Sequence, residues 1–268
     1  MALPERTAEA AEPRSFLATN ASRHGIVVAV CLAALSALAW WWLWRGGPPI
    51  GADDGRAGMA MSAPRPDFAY FASAALMWAI MMVAMMLPSA APMILLHDRF
   101  SRKNGFGGAA TLAFGLGYLA VWTGFALLAA ASQSALTAAG VVEQTSITIG
   151  NSRIAAGLLV LTAIYEMSGL KQLCLSQCQS PVMFLTRYWR GGIAGGLSMG
   201  LRHGAFCLGC CWMLMLLLFV GGVMNLAWIA VLTVIVVGEK YLPPAWRADR
   251  NIAALLIVSA AIILVRPN

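Results

Sequence analysis

Long apolar runs constrain this chain more than any other feature of its sequence. A helix needs about 20 predominantly apolar residues to cross the hydrocarbon core of a bilayer. Seven stretches of the 268-residue chain meet or approach that length: 26–44, 68–96, 107–131, 154–169, 204–220, 223–238 and 252–265. The runs are continuous, not alternating, which favours helices over a barrel. We therefore predict an all-α fold, a polytopic transmembrane helix bundle of about seven helices, with six as the lower count.

The composition excludes a water-soluble enzyme. Apolar residues make up 60% of the chain and charged residues only 11%, against about 25% charged in an average soluble domain. Such a chain lacks the charges to cover a water-exposed surface. The sequence also shows no Gly-rich phosphate loop, no Ser/His/Asp set and no nucleotide fingerprint. We therefore expect no catalytic residues, no nucleic-acid partner, and a metal-handling or accessory membrane protein more readily than an enzyme.

The arrangement of charges predicts the domains and the topology. Residues 1–25 are polar, which predicts a flexible cytoplasmic tail, and residues 26–268 are predicted to form a single transmembrane helical domain. With the N-terminus inside and seven crossings, 13 of the 18 Lys and Arg residues fall on the inner side and five on the outer. The positive-inside rule therefore predicts a cytoplasmic N-terminus. Met59 and Met61 fall in the outer loop, where two methionines are weak ligand candidates.

Five of the six cysteines form two groups with ligand-like spacing. Cys174 and Cys178 follow the fourth run, and His203, Cys207, Cys210 and Cys211 open the fifth. On an ideal helix the second group lies within a stripe of about 100°, although His203 and Cys210 are about 10 Å apart along the axis, too far to share one ion. A closed site therefore needs a second element, and the first group is the obvious donor. Thiolate-rich sites favour soft ions such as Cu(I), Zn(II) or an iron–sulfur cluster, whereas a lone cysteine such as Cys31 is a packing residue.

A methionine-rich stretch supplies a second set of soft ligands. Met82, Met86, Met93 and His97 fall within about 60° of one another on an ideal helix. Thioethers are uncharged ligands for soft metals, so this stripe is a candidate relay for a monovalent ion. The alternative is that methionine fills gaps in the bundle core, and Pro88 and Pro92 break the ideal phase of the stripe.

Two acidic residues lie at the ends of apolar runs. Glu166 lies in the last turn of the fourth run and Glu239 ends the sixth, next to Lys240. Ionisable groups within membrane helices are costly and are functional candidates by default. We predict a polar relay through Glu166 and Glu239, the alternative for Glu239 being a local pair at the interface.

Several segments together resemble a known family. They are Met77–Pro92, the 173–185 stretch followed by Trp-Arg-Gly-Gly, the block HGAFCLGCCWMLM from His203 to Met215, Gly222–Asn225, and the Glu239–Lys240 pair. They resemble the DUF2182 family of bacterial integral membrane proteins predicted to bind metal, over about residues 70–240. The resemblance implies a bacterial cell inner membrane location and metal ligation by the clustered cysteines and His203. It implies no established activity.

The sequence therefore supports one principal function and two alternatives. The principal one is binding of a soft transition metal, copper(I) first and zinc second, for transport or handover. Its partners would be the lipid bilayer and a soluble metal chaperone or another membrane subunit. One alternative is a membrane thiol-disulfide oxidoreductase, since paired cysteines exchange disulfides. The other is a non-catalytic subunit of a membrane complex, with the cysteines as packing or assembly points.

Overall fold

Helices make up most of the part of the chain that the structure describes. The computed structural model describes residues 12–45, 68–142, 147–242 and 248–265, so Met59 and Met61 lie outside it. Within these ranges an isolated β-bridge joins Val142 and Ile149, and the all-α prediction is confirmed. The helices are α1 (Glu12–Trp44), α2 (Phe68–Lys103), α3 (Gly108–Ala138), α4 (Ser152–Glu166), α5 (Gly169–Gln179), α6 (Pro181–Tyr188), α7 (Gly192–Leu216), α8 (Leu218–Gly221), α9 (Leu226–Tyr241) and α10 (Ala248–Val265).

Four helical segments of the described chain are long and apolar enough to cross a membrane: Arg23–Trp44, Phe68–Lys103, Gly108–Ala138 and Gly192–Gly221. A fifth candidate is the pair α4 and α5, bent by 63° at a short break. The runs predicted at 223–238 and 252–265 correspond to α9 and α10, helices of 16 and 18 residues. Helix α1 begins at Glu12, inside the segment predicted as a tail.

Helices α3 and α7 form the central packing contact of the bundle. Gly196 and Gly200 of α7 face the α3 backbone so closely that a Cβ at either position would overlap the carbonyl oxygens of Ala110 and Phe114. Small residues four apart allow helix backbones to approach in this way. The close approach places Tyr118 of α3 beside the cysteines of α7.

Two prolines interrupt α2, and other helices satisfy the carbonyls that the prolines leave free. A proline removes the hydrogen bond to the carbonyl four residues earlier, which here frees the oxygens of Ala84 and Pro88. Ala84 accepts hydrogen bonds from Ser36 Oγ at 3.3 Å and Trp40 Nε1 at 3.1 Å, both in α1. Pro88 accepts one from the Tyr241 hydroxyl of α9 at 3.3 Å. The prolines therefore provide attachment points for α1 and α9.

The break between α4 and α5 brings residues of the two helices together. Ser168 caps α5, its hydroxyl accepting from the Lys171 backbone N–H at 3.2 Å. The Tyr165 hydroxyl donates to the Gly209 carbonyl oxygen of α7. The Tyr165 bond fixes the end of α4 against α7, and the Ser168 cap begins α5 next to it, so that α5 packs along α7.

One position within the helices differs from the sequence prediction. The fifth run was expected to begin at residue 204, which would place the Cys/His group at a helix start. Helix α7 begins at Gly192, so this expectation is wrong and the group lies in the middle of the helix. The glycine-rich segment before residue 204 stays helical because its glycines pack against α3.

Candidate functional site

Thiols from two helices meet inside the bundle. The Cys178 sulfur of α5 lies 4.0 Å from the Cys210 sulfur of α7, and Cys210 lies 3.7 Å from the Cys211 sulfur. Cys207 interacts with both Cys178 and Cys210. The three α7 cysteines are at most 2% exposed. We refer to Cys178, Cys207, Cys210 and Cys211 as the thiol cluster.

The sulfur separations match those of a shared soft metal ion. With metal–sulfur bonds of about 2.3 Å, two ligand sulfurs lie about 3.8 Å apart in tetrahedral and about 4.6 Å apart in linear coordination. The Cys178–Cys210 separation of 4.0 Å falls in this range. In the described residues no group of three or more His, Cys, Asp or Glu side chains has metal-holding geometry. The 4.0 Å distance between the Cys178 and Cys210 sulfurs is the observation that bears on metal binding.

Two of the α7 thiols also hydrogen-bond to the backbone of their own helix. Cys210 and Cys211 donate to the Cys207 carbonyl oxygen at 3.1 Å and 2.7 Å. Cys174 has no thiol hydrogen bond in the described part of the chain; its sulfur packs against Gly209, where an added Cβ would lie 2.6 Å from it, and interacts with Cys210 only electrostatically. Of the two α5 cysteines, the structure thus brings only Cys178 to the cluster.

Cys207 has polar partners that the sequence did not indicate. The Lys240 ammonium of α9 lies 3.0 Å from the Cys207 sulfur and 2.8 Å from Ser89 Oγ. The Tyr118 hydroxyl lies 3.1 Å from the same sulfur. A buried ammonium group in this position compensates negative charge on the sulfur.

Two of the three histidines, those predicted as ligands, lie near one phenylalanine ring. Phe114 lies with its centroid 4.7 Å from His97 and 6.0 Å from His203. His203 is also flanked by Tyr118 and Phe184, and its Nδ1 is buried with no hydrogen-bond partner. His97 Nδ1 is 3.4 Å from Thr111 Oγ1. The structure therefore places His203 one helical turn from Cys207 and separates His97 from the thiol cluster.

The predicted methionine stripe is buried. Met82, Met86 and Met93 are each at most 2% exposed. Tyr118 links this stripe to the cysteines, because its hydroxyl donates to the Met86 carbonyl oxygen at 3.1 Å and also contacts Cys207. The two soft-ligand sets are thus neighbours within one core.

A buried group of charges lies beside the thiol cluster. The Lys171 ammonium of α5 pairs with the Glu166 carboxylate and lies 2.7 Å from Glu239 Oε1. All three side chains are at most 3% exposed. We refer to Glu166, Lys171 and Glu239 as the ion triad. Glu239 and Lys240 are consecutive, so α9 contacts the ion triad with one residue and the thiol cluster with the next.

The two lysines correct the topology argument. The sequence analysis counted Lys171 and Lys240 among loop cations on the inner side, but they are 0% and 8% exposed and paired inside the bundle. Arg202, counted in the same loop as Lys171, lies within α7. Without these three residues the bias is ten to five, in the same direction. One indication in the sequence that Lys240 could be part of a buried site was its place beside Glu239 at the end of an apolar run. No local indication in the sequence marked Lys171 as buried.

Comparison with known proteins identifies the chain at the family level. No curated protein and no solved structure matches it significantly. A family described as "PpoB2: Copper chaperone" matches residues 75–263, which include the thiol cluster, the methionine stripe and the ion triad. The match agrees with the predicted membership of a metal-binding family and with the expected handling of copper. Because it covers well over half of the chain, the protein belongs to the PpoB2 family of copper chaperones.

Proposed function

We propose that this protein is a multi-pass protein of the bacterial inner membrane that binds Cu(I) at the thiol cluster and hands it to another metal-handling protein. The observation that carries the proposal is the 4.0 Å approach of Cys178 and Cys210, which come from different helices. Thiolate ligands select Cu(I) among the biological metals, with zinc as the second candidate. The family assignment to copper chaperones supports the same cargo, and the DUF2182 resemblance agrees with it.

The membrane location is supported by the outer surface of the helices. Leu128, Leu170 and Val234 are among many large apolar side chains more than 60% exposed. Soluble monomers rarely expose contiguous apolar patches of this kind. Together with the spanning candidates, this surface fits a lipid environment, with the N-terminus on the cytoplasmic side as the charge bias predicts.

The remaining predicted ligands are assigned subsidiary roles. His203 offers a free buried nitrogen one turn before Cys207, which suits a third ligand after a small helix adjustment. Met82, Met86 and Met93, with His97 beyond them, form an apolar path of soft donors along α2. Cys174 is a further thiol one turn before Cys178, to which the ion can pass during exchange.

The test is Cu(I) binding by the reduced protein in lipid nanodiscs, measured by competition with a Cu(I) chelator. We expect tight binding that the Cys178→Ser/Cys210→Ser double variant loses and the Cys31→Ser variant retains, since Cys31 is exposed on α1. Binding that is unchanged in the double variant would refute the assignment. Tight binding of Zn(II) with none of Cu(I) would replace copper as the cargo.

The distance between Cys178 and Cys210 also suits a thiol-disulfide oxidoreductase, the second candidate. Disulfide formation needs two thiols that can approach each other, and the sulfurs of this inter-helix pair lie 4.0 Å apart. Alkylation of the protein as isolated from cells separates the two functions. Free, reactive thiols support metal binding, whereas a Cys178–Cys210 disulfide that cycles with a partner supports redox exchange.

A further inference from the structure

The ion triad carries one unit of negative charge more than it can neutralise. Two carboxylates, Glu166 and Glu239, share one ammonium group, that of Lys171. One carboxylate oxygen, Glu166 Oε1, is buried and has no hydrogen-bond partner. An unpaired carboxylate oxygen in an apolar interior is costly. In the metal-free core the Lys240 ammonium, beside Cys207, offsets this excess charge. Once Lys240 faces a copper bis-thiolate, a proton on Glu166, donated to the neighbouring Glu239 carboxylate, removes the excess.

Among the described residues, Lys240 is the one other buried cation besides Lys171, and Arg250 of α10 is exposed. Helix α5 contributes Lys171, and α9 contributes Glu239 and Lys240, of which Lys240 is bonded to Ser89 and Cys207. Helix α10 contributes Asp249, which accepts a 3.0 Å bond from Gln172, whose amide also reaches the Glu166 carbonyl oxygen. The titratable and charged groups of α7 are its three thiols, His203 and Arg202, whose guanidinium lies over the Tyr188 ring. Tyr165 connects α4 to that helix through the Gly209 carbonyl oxygen.

Helix α5 connects the triad to the thiol cluster mechanically. Its first turn carries Lys171 and its last turn carries Cys178. The Gln179 amide also donates to the Glu239 carbonyl oxygen at 2.7 Å. A change at either cluster therefore acts on the same short helix and on the Glu239–Lys240 segment.

We propose that the ion triad is a proton-binding site coupled to copper occupancy, with Glu166 as the carboxyl group that gains the proton when Cu(I) enters the thiol cluster. This rests on the proposed copper function. In the binding step two thiol S–H bonds break and two copper–sulfur bonds form, giving a bis-thiolate anion and two protons. One proton adds to the Glu166 carboxylate and the other leaves to solvent, so that a second negative charge does not accumulate in the low-dielectric core. No electron is transferred in this step.

The coupling has a defined consequence by linkage. If bound copper raises the affinity of Glu166 for a proton, then a proton on Glu166 raises the affinity of the thiol cluster for copper by the same factor. Loss of that proton, on the side of the membrane where it is released, therefore weakens the grip on copper. The ion triad would thus regulate copper release.

The first test uses infrared spectroscopy of the metal-free protein in nanodiscs over a pH series. We expect a protonated-carboxyl band that titrates in the wild type and is absent in Glu166→Gln, which keeps the shape of the side chain. Asp249→Asn is the matched control, because it removes a carboxylate at the edge of the same region. Absence of any Glu166-dependent band would overturn the proton site.

The second test counts the protons released per bound Cu(I) in weakly buffered solution. We expect Glu166→Gln to release about one proton more per copper than the wild type and Asp249→Asn, because a glutamine at position 166 cannot take up a proton. Equal counts with normal copper binding would overturn the coupling and leave the proposed function intact. Failure of the wild type to bind Cu(I) would overturn the proposed function and with it the coupling, while the infrared band reports on the proton site separately.

Discussion

The ammonium nitrogen of Lys240 lies 3.0 Å from the sulfur of Cys207, within a core where both side chains are at most 8% exposed. Ser89 and Tyr118 complete the immediate polar surroundings of this pair. A copper ion held by two thiolates carries a net negative charge, so a fixed cation beside it stabilises the loaded state. The contact between Lys240 and Cys207 is therefore part of the proposed copper site.

Replacing Lys240 by methionine tests this role. Lys240→Met keeps an unbranched side chain that is one atom shorter and removes the charge, so the loaded cluster loses a charge-assisted interaction worth about 1.5–3 kcal/mol. We expect the Cu(I) dissociation constant to rise by about tenfold to hundredfold, measured by chelator competition in nanodiscs. The control is Lys103→Met, at the exposed end of α2. An affinity equal to that of the control would show that the Lys240 charge plays no part in binding.

The two α5 cysteines are expected to differ. Cys178 lies in the thiol cluster, whereas the Cys174 sulfur packs against Gly209. We expect Cys178→Ser to weaken Cu(I) binding by more than about tenfold, the loss that accompanies removal of one ligand, and Cys174→Ser by less than about threefold. The same competition assay measures both. The reverse ranking would mean that α5 turns about its axis when copper binds.

Much of this site was accessible from the sequence. The all-α class followed from the apolar runs. The pairing of the two cysteine groups followed from the spacing of His203 and Cys210, because a single straight helix of that length cannot close a metal site. The burial of the methionine stripe was equally evident from its apolar context. These features depend on local periodicity, which a sequence displays directly.

The buried lysines were not accessible in this way. Lys171 and Lys240 find their partners 68 and 33 residues away along the chain. Their burial depends on the bend between α4 and α5 and on the attachment of α9 to α2, and both arise from tertiary packing. A charged residue at the end of an apolar run has the same local pattern whether it lies in a loop or folds inwards. The position of the Cys/His group in mid-helix was missed for a related reason, since glycines in the first half of α7 lower helix propensity but permit its contact with α3.

The link between α1 and α2 provides a test of the proline argument. Trp40→Phe removes the Nε1–H that bonds to the Ala84 carbonyl oxygen at 3.1 Å, which we expect to lower the free energy of unfolding by about 1 kcal/mol. In a Pro88→Ala background the restored N–H at position 88 bonds to Ala84 instead, so the same substitution is expected to cost much less. Denaturant titration in mixed micelles measures all four proteins of the cycle. An equal loss in both backgrounds would show that Trp40 acts by packing alone.

The ion triad makes the strongest prediction for stability. Lys171→Met leaves Glu166 and Glu239 facing each other without a cation in a site where all three side chains are at most 3% exposed. Breaking a buried pair by removing one partner costs about 3–5 kcal/mol, whereas replacing the whole set by neutral groups is far less costly. We therefore expect Lys171→Met to be strongly destabilised in denaturant titration, and the triple variant Lys171→Met/Glu166→Gln/Glu239→Gln to recover most of the loss.

The triple variant also separates folding from coupling, because it keeps the thiol cluster while removing every titratable group of the triad. One outcome is that the triple variant recovers stability and binds Cu(I), but releases more protons per copper than the wild type. The charges of the ion triad are then required for proton coupling to copper binding and not for folding. If instead the triple variant is as unstable as Lys171→Met, packing of the Lys171 side chain stabilises α5, and its charge is not responsible.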